Sequence, residues 1–234
     1  MEKQITLISG TSKGIGKALA EYFLRKNHIV FGFSRSNVSW EAQDYFHFVG
    51  DVADENFISS VFREIKTRYG KLDNLINNAG VASMNHSFLT PKSTVQNVLN
   101  TNILGTFLLC REAGKLMRAK SYGRIVNFST VAVPLKLEGE AIYAASKAAV
   151  VTLTQILAKE FGQFGITVNS LGPTPVATDL IKSVPQLKIN KLIDMQIIKR
   201  MGSFEDIFNV IDFLIHPNSS FITGQQIYLG GVSA

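Results

Sequence analysis

The stretch that decides the fold is Ser9-Gly10-Thr11-Ser12-Lys13-Gly14-Ile15-Gly16, which begins where a short apolar run ends. The β-branched run Ile5–Ser9 predicts a strand, and Gly14–Lys26 has the periodicity of a helix. A strand, a glycine-rich turn and a helix in this order bring main-chain N–H groups and a helix N-terminus to one point. Such a point is typical of a site for a dinucleotide pyrophosphate, although G-x-x-x-G-x-G differs from the widespread G-x-G-x-x-G spacing. A plain strand-to-helix turn is the alternative.

Outward from this loop, short apolar runs alternate with segments of helical period. The predicted strands are Ile5–Ser9, Ile29–Ser34, Phe46–Val49, Leu72–Asn77, Arg124–Phe128, Ile166–Leu171 and Gln226–Leu229, and the predicted helices are 14–26, 54–69, 94–118, 141–164 and 204–215. An irregular segment with prolines precedes the last helix. This alternation predicts an α/β fold, a doubly wound, Rossmann-like parallel sheet with helices on both faces, in one domain over 1–234. Ligands of such folds bind beyond the carboxyl ends of the strands.

Composition narrows the function classes. No run approaches the roughly 18 to 20 apolar residues that cross a bilayer, and no signal-peptide layout is present, so we expect a soluble, cytoplasmic protein without a membrane partner. The net charge of +6 comes from scattered lysines and arginines, which argues against nucleic acid. The one cysteine, Cys110, predicts a small core residue, and no Cys/His cluster has metal-ligand spacing, so no metal is expected.

The end of the second predicted strand indicates which dinucleotide binds. An acidic residue there would accept hydrogen bonds from a free ribose 2′-hydroxyl, but the chain has Ser34 and Arg35. Arg35 is able to pair with a 2′-phosphate, and Lys13 on the first loop adds a second cation. The sequence therefore favours NADP(H) over NAD(H), with solvated surface charges as the alternative.

Two further motifs make the pattern specific: Asn77-Asn78-Ala79-Gly80 after the fourth strand and Tyr143-Ala144-Ala145-Ser146-Lys147 within a helix. With the glycine loop, they resemble the short-chain dehydrogenase/reductase family in its compact single-domain form, over nearly the whole chain. Within that family the chain is most similar to 3-oxoacyl-carrier-protein reductases and related ketone reductases. The resemblance implies a homo-oligomer, tetramer or dimer. It also implies cofactor contacts from Gly10, Ser12, Lys13, Gly14, Ile15, Gly16, Ser34, Arg35, Asp51, Val52, Asn78, Ala79, Gly80, Tyr143, Lys147, Pro173, Val176 and Thr178.

Asp51, from this set, and the neighbouring Thr174 each keep an open question. The alternative to a cofactor contact for Asp51 is that it caps the helix that begins near Asp54. Thr174 stands where relatives usually carry glycine, and a β-branched residue resists a positive φ, so the backbone path there is uncertain from sequence.

Tyr143 and Lys147 are four residues apart on a predicted helix and therefore share a face. A phenol exchanges a proton near neutral pH only when a nearby cation stabilises the phenolate, and Lys147 supplies a cation. The resemblance adds Asn102, whose main-chain carbonyl holds a water in relatives, and a hydroxyl that polarises the substrate carbonyl. That hydroxyl is predicted to be Thr130, with Ser129 in reserve. Together they predict an NADPH-dependent oxidoreductase that reversibly reduces a ketone or aldehyde.

The substrate wall is predicted from 81–87, 131–137 and a lid at about 174–200. Relatives that act on carrier-protein thioesters present basic residues where this chain has Ser121 and Phe164, which favours a small ketone or its alcohol instead. The alternative is a cofactor-binding sensor or scaffold with little turnover.

Overall fold

Parallel strands form one sheet at the centre of the computed structural model, which describes residues 2–178, 181 and 184–232. The strands are β1 Ile5–Ser9, β2 Ile29–Ser34, β3 Tyr45–Val49, β4 Asn74–Asn77, β5 Gly123–Phe128, β6 Ile166–Gly172 and β7 Gln226–Tyr228. Their order in the sheet is β3-β2-β1-β4-β5-β6-β7, and every pair is parallel. The predicted doubly wound architecture is confirmed.

Helices cover both faces of the sheet. They are α1 Gly14–Arg25, α2 Glu55–Tyr69, α3 Lys92–Leu99, α4 Gly105–Met117, α5 Ala132–Leu135, α6 Ala141–Gly162, α7 Gln186–Asp194 and α8 Phe204–Ile215. Buried side chains of α2, α4 and α6 form the core on one face, and those of α1 and α8 form the core on the other. Burial of apolar side chains on both faces explains why the strands read as continuous apolar runs.

The strand order reverses at β1: β2 and β3 lie on one side of this strand, and β4 to β7 lie on the other. This strand pairs with β2 on one side and β4 on the other, so a crevice forms outside the carboxyl ends of β1 and β4. The glycine loop follows β1 and the Asn78 segment follows β4. The topology therefore places both motifs at the crevice.

The prediction of one continuous helix over 94–118 is wrong. The structure divides it into α3 and α4 by a wider π-helical turn, Asn100–Leu104. Asn102 lies within this turn, and its side chain forms hydrogen bonds with the main chain of Val81. π turns of this kind are common at functional sites. The segment with prolines also contains α7, which periodicity did not predict.

Helix α6 is long and apolar enough, by length and composition, to cross a membrane, and it is the one such helix within the described residues. It packs against β5 and β6 and buries the polar side chains of Lys147 and Thr154. Its side chains Leu157 and Ala158 belong to the core on that face of the sheet.

Candidate active site

The glycine loop folds tightly against the segment after β4. Gly10 adopts φ +77°, and its N–H donates to the Phe33 carbonyl at 2.8 Å. A Cβ on Gly16 would lie 2.1 Å from the Gly10 carbonyl oxygen, so only glycine allows the first turn of α1 to approach the loop. The Asn78 amide donates to the Ser9 carbonyl at 2.9 Å. The N-cap residue of α1, Lys13, makes no side-chain cap bond, which leaves the first N–H groups available to an anion.

A cleft of about 800 Å³ runs along this crevice and has the size and lining that a dinucleotide needs. Most of the residues predicted to contact the cofactor line it, namely Gly10, Ser12, Lys13, Gly14, Ser34, Arg35, Asp51, Val52, Asn78, Ala79, Gly80 and Thr178. Ile15, Pro173, Val176 and Tyr143 line the adjoining cleft instead, whereas Gly16 and Lys147 line neither. The residues present therefore fit NADP(H).

Asp51 and Asp54 have separate positions. The Asp54 carboxylate accepts from the N–H groups of Asn56 and Phe57 and caps α2. The Asp51 carboxylate accepts only the nearby Ala53 N–H among its described hydrogen bonds, at 2.9 Å, and lines the cofactor cleft. The helix is thus capped without Asp51.

Tyr143 and Thr130 both line a second cleft, of about 460 Å³. Burial is the main reason that the pKa of Tyr143 is raised to about 12; the nearby Thr130 hydroxyl acts to lower this pKa and the Glu140 carboxylate acts to raise it, both more weakly. Tyr143 is therefore a protonated phenol at neutral pH, which is the form that donates a proton.

Lys147 lies one helical turn after Tyr143 and is 4% exposed. Its Nζ donates to the Phe128 carbonyl oxygen at 2.7 Å. Burial lowers the pKa of Lys147 to about 8, because the charged form is poorly solvated there. The ammonium form still predominates at pH 7.

Asn102 ties the loop after β4 to α6. Its side-chain amide donates to the Val81 carbonyl and to the Ser146 hydroxyl, both at 2.9 Å, and its carbonyl oxygen accepts the Val81 N–H at 2.9 Å. A Cβ on Gly80 would lie 3.3 Å from both Asn102 Oδ1 and Lys147 Nζ. The structure therefore brings Asn102 and Lys147 together, and the main-chain oxygen of Asn102 accepts from Thr106 at 2.8 Å.

The two adjacent hydroxyls after β5 point to different places. Thr130 lines the second cleft beside Tyr143. The Ser129 hydroxyl donates to the Lys147 carbonyl oxygen at 3.5 Å and lies near Tyr228, whose pKa it acts to lower. Sequence reasoning missed Tyr228 as a neighbour of Ser129.

Apolar side chains dominate the second cleft, and α7 forms one wall. The apolar lining includes Ala82, Met84, Val131, Leu137, Ile181, Val184, Ile189, Leu192 and Met195. Lys188 and Lys191 of α7 and Glu138 and Glu140 supply charged groups. These α7 residues fall within the predicted lid at about 174–200, although the helix itself was not predicted.

Thr174 is accommodated in this wall without a left-handed backbone. It is buried and is absent from the described residues with positive φ. A Cβ on Gly202 would lie 2.9 Å from Thr174 Oγ1, so the threonine packs closely against that glycine. Four positions of the predicted lid, Asp179, Leu180, Lys182 and Ser183, lie outside the described residues.

Comparisons with known proteins show the family of this chain. A family model described as Enoyl-(Acyl carrier protein) reductase matches residues 10–232. The 3-oxoacyl-[acyl-carrier-protein] reductase FabG of Escherichia coli is 30% identical over 236 residues, covering 98% of this chain and 97% of that protein. FabG of Buchnera aphidicola is 32% identical over 237 residues, covering 99% and 97%.

Solved structures give the same result. The structure of ElxO with NADP bound has a TM-score of 0.89 and 30% identity, covering 98% of each chain. The ligand-free aldohexose dehydrogenase of Thermoplasma acidophilum has a TM-score of 0.89 and 26% identity, covering 99% of this chain and 94% of that one. Sequence likeness, fold and the dinucleotide cleft with Arg35 in place of an acidic residue all agree: this chain belongs to the short-chain dehydrogenase/reductase family and is an NADP(H)-dependent oxidoreductase that acts on carbonyl and alcohol groups.

Proposed function

We propose that the protein reduces a small ketone or aldehyde to its alcohol, reversibly, with Tyr143 as the proton donor. The observation that carries this proposal is that Tyr143 and Thr130 both line the second cleft, with the Thr130 hydroxyl near enough to influence the pKa of the phenol. A carbonyl oxygen that enters this corner is within reach of two O–H groups, which is the arrangement that general acid catalysis requires.

Each residue of the cluster has a separate role in this proposal. NADPH, when bound, supplies the hydride. Thr130 donates a hydrogen bond to the carbonyl oxygen and holds it against the phenol. Tyr143 gives that oxygen its proton. Lys147, still an ammonium at neutral pH, stabilises the phenolate that remains. Asn102 is a positioning residue, because its side chain fixes Val81 and Ser146 around the lysine.

The apolar lining of the second cleft supports a small, largely apolar carbonyl compound as the substrate. The cleft measures about 460 Å³, and its apolar side chains come from the loop after β4, α5 and α7. We propose that 174–200 forms a lid over this compound, because α7 is built into the cleft wall.

The proposed homo-oligomer is supported by apolar side chains exposed on the helices, namely Leu99, Leu104, Phe107 and Ile156. Light scattering on the purified protein would measure the mass of the assembly, and a monomer at micromolar concentration would contradict the proposal. Cytoplasmic localisation stays a prediction.

The decisive experiment compares Tyr143→Phe with Tyr228→Phe in an NADPH-oxidation screen over varied ketones and aldehydes. Both changes remove one phenol hydroxyl, but Tyr228 contacts Ser129 and does not line the second cleft. We expect Y143F to lose at least about 100-fold in kcat while it still binds NADPH, and Y228F to keep most of its rate. Equal turnover of Y143F and wild type would overturn the proposal. Tight NADPH binding by the wild type with no consumption across the panel would favour a cofactor sensor instead.

A further inference from the structure

The imidazole of His47 lies beneath the turn that holds Arg35. Its Nε2 is 3.2 Å from the Ser36 carbonyl oxygen and 3.3 Å from the Ser34 hydroxyl. Because a carbonyl oxygen only accepts, Nε2 carries a proton in this arrangement. Ser34 itself donates to the same Ser36 carbonyl at 2.6 Å. One ring nitrogen therefore joins the residues on both sides of Arg35, and all three residues of the turn line the cofactor cleft.

The other ring nitrogen meets a second pair of hydroxyls. His47 Nδ1 is 2.9 Å from the Tyr45 hydroxyl, which in turn is 2.9 Å from Thr11 Oγ1 in the glycine loop. Trp40 stacks on Tyr45 with ring centroids 4.1 Å apart and holds the phenol in place. The imidazole is therefore wedged between the two loops that border the adenosine end of the cofactor cleft.

Both charge states of the imidazole fit this network. A neutral His47 accepts the Tyr45 proton at Nδ1. A cationic His47 donates from Nδ1 to the Tyr45 oxygen, and Tyr45 turns its own proton toward Thr11. The hydrogen bond from Nε2 to Ser36 is the same in both states. Protonation thus adds positive charge beneath the turn without breaking either contact.

We propose that His47 is a specificity-determining positioning residue for the adenosine 2′-phosphate, which fixes the Ser34–Ser36 turn and takes up a proton when the phosphate binds above it. The proposal goes beyond the residues assigned to the cofactor and rests on the placement of the 2′-phosphate at Arg35. It follows that NADPH binding depends on pH through His47, whereas NADH binding does not.

The direction of the pH dependence follows from the surroundings of the ring. Burial lowers the pKa of His47 below its ordinary value, so the ring is neutral at pH 7 without ligand, and a phosphate dianion above the turn raises that pKa again. The charged and titratable groups on the neighbouring segments are Lys13, Arg35 and Asp51 around the cleft, Tyr45 on β3, and Lys17 and Glu21 on α1, which pair with each other at 3.8 Å. The dianion is thus the one added charge that distinguishes NADPH from NADH.

The test measures dissociation constants of NADPH and NADH between pH 6 and pH 8 for wild type, His47→Gln and His47→Asn. Gln can keep a donor near the Ser36 carbonyl and Asn one near Tyr45, and neither becomes a cation. We expect the wild-type preference for NADPH to rise about three- to tenfold more than that of either variant as the pH falls from 8 to 6. The phosphate's own protonation near pH 6 is common to all three proteins and cancels in the comparison. Equal pH slopes in wild type and variants would overturn the proposal.

A second measurement does not depend on how the variants fold. Histidine-selective NMR of the wild type follows the ring of His47 with and without NADP⁺ and with NAD⁺. We expect NADP⁺, and not NAD⁺, to raise the pKa of His47.

An Arg35→Ala variant tests separately the role of His47 and the placement of the 2′-phosphate at Arg35. If Arg35→Ala weakens NADPH binding while NADP⁺ leaves the His47 titration unchanged, the role of His47 is refuted and the phosphate site stands. If Arg35→Ala has no effect on NADPH binding, the placement of the phosphate itself is wrong.

Discussion

Lys147 Nζ donates a hydrogen bond to the Phe128 carbonyl oxygen, 2.7 Å away, in a part of the protein where the lysine is 4% exposed. Phe128 ends β5, so this bond joins the sheet to α6. A cation held there by a single described hydrogen bond is poorly solvated, which is why the pKa of Lys147 falls to about 8. Two predictions follow from this lowered pKa.

The rate of carbonyl reduction should fall as the pH rises through about 8. Lys147 is charged below its pKa and neutral above it, so the stabilisation of the phenolate is lost on the alkaline side. Tyr143, with a pKa raised to about 12, stays protonated throughout this range and does not cause the decline. A profile of kcat/KM from pH 6 to pH 10 measures the effect, with circular dichroism to confirm that the fold persists. A profile that stays flat to pH 10 would contradict this role of Lys147.

Replacing Lys147 by Met should separate activity from stability. Between pH 8 and about 10.5 the unfolded chain holds a proton that the folded chain has lost, so wild-type stability rises with pH across this window. At pH 7 the wild type bears the full desolvation cost of the buried charge, which K147M avoids. Once the lost hydrogen bond to Phe128 is subtracted, the unfolding free energy of K147M should be higher by on the order of 1 to 2 kcal/mol. The gain should shrink towards pH 10.5, while activity falls at least about 100-fold. Urea unfolding at pH 7 and pH 10 measures it, and a variant that is less stable at pH 7 would refute the argument.

The adjacent hydroxyls offer a matched pair of substitutions. Thr130→Ala removes the hydroxyl near Tyr143, and Ser129→Ala removes the one near Tyr228. We expect a loss in kcat of about 100-fold or more for T130A and less than about tenfold for S129A. Thr130→Ser keeps the hydroxyl and should retain most of the rate. Steady-state kinetics on an active ketone decide between the two positions, and a larger loss for S129A would reverse the assignment.

Cofactor preference should respond to changes at the end of β2. A charge-assisted hydrogen bond contributes about 1.5 to 3 kcal/mol, so Arg35→Ala should weaken NADPH by about ten- to hundredfold and leave NADH almost unchanged. Ser34→Asp should lower the preference further, because a carboxylate repels the 2′-phosphate and accepts from a 2′-hydroxyl. Fluorescence titration of both cofactors measures these changes. Tighter NADH than NADPH binding by the wild type would show that Arg35 does not meet the phosphate.

Glycine at position 16 should be essential to the glycine loop. A Cβ there would lie 2.1 Å from the Gly10 carbonyl oxygen and 2.5 Å from the Asn78 amide, so Gly16→Ala forces the backbone apart. We expect a loss of about 2 kcal/mol or more in unfolding free energy, with weaker NADPH binding. Gly162→Ala is the control, since nothing lies within 4 Å of a Cβ there and alanine favours the end of α6. Denaturant unfolding of both variants tests the contrast, and equal effects would refute it.

Local patterns in the sequence determined the elements and their order. The apolar runs and the four-residue interval between Tyr143 and Lys147 follow the strand and helix periods of two and about 3.6 residues, and the glycine spacing after β1 indicates a tight turn. Residues that are neighbours in the chain set all three by themselves. Alternation of strands and helices then implied the parallel sheet and the end at which its ligand binds. For these reasons the cofactor cleft, its NADP(H) preference and the helical face of Tyr143 were predictable.

Only the tertiary structure decided the contacts between segments far apart in the chain. The proposed choice of Thr130 over Ser129 rests on Tyr143 of α6 and Tyr228 of β7, which lie near the two hydroxyls. The π turn at Asn102 depends on the hydrogen bonds between the Asn102 side chain and Val81. The network of His47 depends on Ser36 and Thr11, which are 11 and 36 residues away along the chain. No local period encodes such pairs, because they form only when the folded sheet brings the strand ends together and burial makes each polar group find a partner.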